Sequence, residues 1–140
     1  MSTTKSKTQL WIARVMSGIV ILFMLMDSIM KFIQPAEVVT GTTELGFEMH
    51  HILTLGILGL ISVLLYVYPR TSLLGAILLT AYWGGAVATH LRLDNPLFSH
   101  LLFPVYLGIL AWGGLWLRDQ NIRNFLPFRR LTEEERRHLL

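Results

Sequence analysis

Four stretches of nearly unbroken apolar character, about 10–33, 49–68, 72–90 and 97–117, leave this chain very few folds to choose from. Each is close to the roughly 20 residues an α-helix needs to cross about 30 Å of hydrocarbon. Helices are suited to that setting because they satisfy their backbone N–H and C=O groups internally. Composition points the same way. Charged residues make up 15% of the chain and mean hydropathy is +0.53, whereas a typical soluble domain is about 25% charged. The expected fold is all-α, an integral membrane four-helix bundle over 10–118. A mobile tail is expected over 1–9 and a second tail with a short amphipathic helix over 119–140.

The polar links fix how the spans follow one another. The first span is too long for the apolar part of a signal peptide and lacks a small-x-small cleavage site, so it is expected to remain in the mature protein. Gln34-Pro35 ends it, because proline cannot donate into the helical ladder. The link to Phe47 carries Glu37 and Glu44 and no cation. Pro69-Arg70-Thr71 and Leu91 to Pro96 form the two shorter links. With both termini in the cytoplasm, ten Lys and Arg fall on that side, and only Lys31 and Arg92 fall on the other. That imbalance follows the positive-inside rule, so both ends are expected to be cytoplasmic. A pI near 9.6 would suit nucleic acid, but the cations flank membrane segments and no basic aromatic platform accompanies them. The expected partner is therefore the lipid bilayer and not nucleic acid; a membrane protein partner or a homo-oligomer stays open. In the tail, Ile122 to Phe128 alternates Arg with Phe and Leu, as suits the headgroup level. Thr132-Glu133-Glu134-Glu135 fits a helix capping box, with Glu133 and Arg137 spaced for an ion pair.

The third span, ending Ala81-Tyr82-Trp83-Gly84-Gly85-Ala86-Val87-Ala88-Thr89-His90-Leu91-Arg92, is the expected organiser. Ala81, Gly85 and Thr89 recur every four residues and stack into a shallow groove, the kind that lets helix backbones approach closely in lipid. Every span also brings ionisable groups to the same end: Asp27 and Lys31, Glu48 with His50 and His51, His90 and Arg92, and His100. Asp27 lies about 9 Å inside its helix end. An Asp at mid-membrane costs about 2.5–3.5 kcal/mol, which favours pairing with Lys31 one turn away. In a functional reading, Asp27, Lys31, His50 or His51, Tyr82, His90, Arg92 and His100 line an outward-facing pocket for a quinone headgroup, a metal ion or another small ligand. A plainer reading of the same residues is a structural ion pair and histidines that tie helix ends together.

Other chemistries find little support. The chain has no cysteine, which removes thiolate nucleophiles, disulfides and Cys-ligated metal clusters. No metal site is expected either, since His50 and His51 diverge by about 100° on a helix and no His-x-x-x-His pair occurs. Ser99-His100 are neighbours, without the Gly-x-Ser-x-Gly elbow of a hydrolase, and no phosphate-binding loop is present. Trp11, Tyr66, Tyr68, Trp112 and Trp116 suit an interfacial aromatic belt. Tyr82 and Trp83 lie deeper, placed either for core packing or to stack on a flat ring.

Leu79-Thr80-Ala81-Tyr82-Trp83-Gly84-Gly85-Ala86-Val87-Ala88-Thr89-His90-Leu91-Arg92, then Pro96-Leu97-Phe98-Ser99-His100-Leu101-Leu102-Phe103-Pro104-Val105-Tyr106 and Trp112-Gly113-Gly114-Leu115-Trp116-Leu117-Arg118-Asp119, resemble the DoxX-like family of small bacterial membrane proteins. The resemblance is closest over the last two spans. It implies a four-helix bundle in the bacterial inner membrane. The family takes its name from a small subunit of an archaeal thiosulfate:quinone oxidoreductase, and other members are linked to membrane complexes that handle oxidative stress. What this implies is a subunit or accessory of a quinone-linked redox system, with quinone as the possible cofactor. It carries no catalytic set onto this chain, so catalysis stays undecided. A non-enzymatic assembly or scaffold protein and a stand-alone small-molecule or metal binder are the alternatives. Ala81 and Trp83 stand where the family pattern suggests Gly and Leu.

Overall fold

The computed structural model describes residues 5–128 and 131–139. Four long helices, α1 (Lys7–Ile33), α3 (Met49–Val67), α4 (Ser72–Arg92) and α5 (Phe103–Arg118), form the bundle, α5 being preceded by a π-helical turn at Leu97–Leu101. All four spans are long and apolar enough to cross a membrane, with the π turn counted in the last. Three short helices accompany them: α2 (Ala36–Glu44), α6 (Gln120–Phe125) and α7 (Glu133–Leu139). The helices close a ring in which α1 packs on α3 and α5, while α4 packs on α3 and more loosely on α5. Large apolar side chains such as Leu22, Met26, Leu64 and Ile109 remain exposed around the outside. In lipid, that is the favourable arrangement.

Two expectations about the links and tails change. The stretch after Pro35 is helical: Val38 and Val39 both donate to the Pro35 carbonyl, at 3.0 and 3.1 Å, so the proline that stops α1 also starts α2. At the N-terminus α1 begins at Lys7, where Ser6 accepts from the Gln9 N–H at 3.1 Å. Lys7 to Gln9 of the expected tail are thus helical, and residues 1–4 lie outside the described residues. The C-terminal tail folds back at once. Ile122 of α6 is buried, and Arg123 donates to the carbonyls of Trp116 and Leu117 at 2.8 and 2.6 Å. A cation over the last carbonyls of α5 complements the negative end of the helix. The capping box forms, with Glu135 N–H donating to Thr132 Oγ1 at 3.3 Å. Glu133 pairs with Arg136 at 3.9 Å, one position short of the expected Arg137.

The two ends of the bundle are built differently. The end that carries both chain termini is tightly closed. Tyr66 is fully buried there, where it donates to the Ala111 carbonyl at 2.7 Å, shares a 3.0 Å hydrogen bond with Ser17, and lies 5.2 Å under the Arg118 guanidinium. Its place is the core, not an interfacial belt. Ser72 donates to the Tyr66 carbonyl at 2.8 Å, and Lys5 donates to the Arg118 carbonyl. Close backbone approach sets this end: a Cβ on Gly75 would fall 2.2 Å from Tyr66 N, and one on Gly114 would fall 2.5 Å from Ser17 Oγ. The opposite end holds a hollow.

Candidate functional site: a cavity at the open end of the bundle

The hollow has a volume of about 630 Å³, within the usual range for small-molecule sites. Its walls come from five helices: α1 supplies Asp27 and Lys31, α4 supplies Tyr82, Thr89 and His90, and α5 supplies Phe103. Leu55 and Leu58 of α3 close one side, and α2 adds Glu37 and Thr42, with Leu45 just beyond its end. Asp27 and Lys31 form an ion pair one turn apart on α1, with the Lys31 side chain 12% exposed. Asp27 and Tyr82 bring a carboxylate and a phenol to the same hollow. Tyr82 also reaches toward α3, with Cζ 3.7 Å from where a Gly59 Cβ would be. Asn95 Nδ2 is 2.9 Å from His90 Nδ1. With the amide donating, Nδ1 accepts and the His90 proton sits on Nε2, leaving that N–H as a donor.

The expected small-residue stripe is here, but in another role. Ala81, Gly85 and Thr89 line the hollow, and a Cβ on Gly85 would meet nothing within 4 Å. Close helix approach occurs instead at Gly56 and Gly59 of α3, where added Cβ atoms would fall 2.9 Å from Lys31 Cβ and 3.0 Å from Ser28 Oγ. The stripe creates space; the α3 glycines remove it.

Of the expected lining residues, Asp27, Lys31, Tyr82 and His90 come together, while four others stand outside the cavity wall. His51 Nδ1 accepts from the Glu48 N–H at 3.2 Å and so caps α3, and His50 faces Glu48 at 3.2 Å. Arg92 donates to the Leu45 carbonyl at 2.9 Å, which ties the end of α4 to the α2–α3 link. Its guanidinium lies against Gly46, where φ is +87° and a Cβ would fall 2.7 Å from Nη2. His100 is exposed, bonds Ser99 at 2.7 Å, and packs edge-on to His90 with ring centroids 5.9 Å apart. Arg92 thus joins two helix ends, His51 caps its own helix, and His50 and His100 bond near neighbours in the chain. Among the described residues, no three His, Cys, Asp or Glu side chains gather into a metal-binding group.

Glu37, Thr42 and Leu45 were missed because their stretch reads as a link. Their near-helical spacing was the available signal. Trp83 is buried as expected of core packing, yet it also borders the hollow, and its buried Nε1 has no hydrogen-bond partner among the described residues.

A family model described as DoxX-like matches residues 15–114. The chain belongs to the DoxX-like family. Every residue that lines the cavity of this DoxX-like protein falls inside the matched stretch, whereas α6 and α7 fall outside it. Neither the curated proteins nor the solved structures give a match.

Proposed function

We propose that this DoxX-like protein binds a small amphipathic molecule of the quinone class at the open end of its bundle, as a subunit or accessory of a quinone-linked redox system. The bundle lies in the bacterial inner membrane with both termini cytoplasmic, so the cavity opens on the outer side. One observation carries the reading: an otherwise apolar hollow of about 630 Å³ in which Asp27, Lys31, Tyr82 and His90 are the polar groups from the spanning helices, together with Thr89. Apolar walls with a few converging donors are what a flat ring bearing two carbonyl oxygens needs. Phe23, Phe103 and Phe47 offer ring faces for stacking. The phenol of Tyr82 and the Nε2–H of His90 are the donors for the ring oxygens, and Asp27 and Lys31 neutralise each other, leaving Glu37 of α2 as the remaining charge in the wall. The chain has no cysteine to hold an iron–sulfur cluster. In this reading electrons come from a partner subunit, and this chain supplies the binding site.

The test is quinone binding to the purified protein in lipid nanodiscs, read by quenching of tryptophan fluorescence. Tyr82→Phe and His90→Ala should each weaken binding about tenfold, roughly 1.4 kcal/mol, while Ile61→Val on the lipid face leaves it unchanged. Absence of saturable quinone binding by the unaltered protein would defeat the proposal. A stable protein partner recovered from the same membrane without bound ligand would then put the scaffold reading in its place.

A further inference from the structure

A second hollow lies on the seam between α4 and α5, where the ring of helices is packed most loosely. It is a groove of about 380 Å³, bordered by Trp83 and Gly84 on one side and Gly108 and Trp112 on the other. Glycine leaves it empty: a Cβ on Gly84 would meet nothing within 4 Å, and one on Gly108 would touch only Trp83 Cε3, at 3.9 Å. Val105 and Ile109 on its rim are exposed, so the groove opens on the lipid-facing side of the bundle. Gly84 lies about 12 Å along the helix from Arg92, within the apolar layer. The one hydroxyl in the wall is already engaged, since Thr80 Oγ1 accepts from Trp112 Nε1 and donates to the Ala76 carbonyl, both at 2.7 Å. What remains for an occupant is carbon surface.

The groove lies directly beside the cavity. Trp83 and Pro104 line both and form the wall between them. Trp83 is 5% exposed, with its Nε1 fully buried. We infer that the cavity and the groove are two arms of one site for a two-part, lipid-soluble ligand: a polar ring head held at Asp27, Tyr82 and His90, and an unbranched or isoprenoid chain lying along the α4–α5 groove. Where the arms meet, the Trp83 ring lies between head and chain. The chain leaves sideways between helices, so the ligand enters from the bilayer. This inference rests on the proposed head-binding role of the cavity, and the experiment separates the two.

The full chain in phosphatidylcholine nanodiscs is titrated with 2,3-dimethoxy-5-methyl-1,4-benzoquinone and with the same ring carrying a decyl chain. Each variant is compared with the unaltered protein in identical discs, so partitioning into lipid cancels. Gly84→Leu fills the groove. It should weaken the decyl compound at least tenfold and leave the chainless ring within twofold; Gly108→Val should do the same from the opposite wall. Should Gly84→Leu and Gly108→Val leave the decyl compound unaffected, or weaken both compounds alike, the groove holds no ligand chain and is occupied by bilayer lipid; the cavity reading then survives alone. If the unaltered protein binds neither compound, the cavity reading fails and this inference falls with it.

Discussion

At the scale of single residues, Asp27 and Lys31 show how lipid disciplines charge. Each alone is expensive within the apolar layer; one turn apart they neutralise each other along the wall of a hollow that needs polarity. Their side chains are 29% and 12% exposed, so the pair is partly hydrated by way of the cavity. Asp27→Asn combined with Lys31→Met should therefore cost less stability than either change alone, with a coupling energy of about 1–2 kcal/mol in thermal unfolding of the detergent-solubilised protein. Equal losses from all three variants would show that the two charges do not depend on each other. This pairing was legible in the sequence because a four-residue spacing fixes contact on any helix. The roles of Arg92, His50 and His51 were not. Each sits at a helix end, where one residue of difference in the boundary decides whether a side chain turns inward or caps the backbone.

At the scale of helices, packing depends on which glycine meets a neighbour. Gly75 and Gly84 belong to the same helix, yet Gly75 lies against the backbone of Tyr66 and Gly84 faces open space. Gly75→Ala should destabilise the fold by about 1–3 kcal/mol or prevent accumulation in the membrane. Gly84→Ala should stay within about 0.5 kcal/mol of the unaltered protein. Comparable melting temperatures for both variants would refute the close α3–α4 contact. Periodicity revealed the four spans and their small-residue faces. It did not reveal which faces meet, because Ala81, Gly85 and Thr89 suit a helix contact and a cavity wall equally well. The helix α2 escaped notice for a related reason: it is nine residues long and polar enough to read as a connection.

At the scale of the whole molecule, the architecture follows from four apolar stretches and their turns, and it was the most legible feature. Orientation rests on charge alone. The chain has no cysteine, so one introduced thiol is unique. In intact cells a membrane-impermeant maleimide should label Asp94→Cys and fail to label Arg70→Cys, since both sites are exposed links at opposite ends of α4. The reverse pattern would turn the cavity to the cytoplasm and leave the fold as it stands. The loose α4–α5 seam lay beyond reach of the sequence, since it depends on how four helices share their contacts.

The closed end, bolted through Tyr66, Ser17, Ala111 and Arg118, has one practical corollary. A fluorescent reporter fused at either terminus hangs from the half of the bundle that yields least. Tagging there leaves the hollow half free to accept or release its guest.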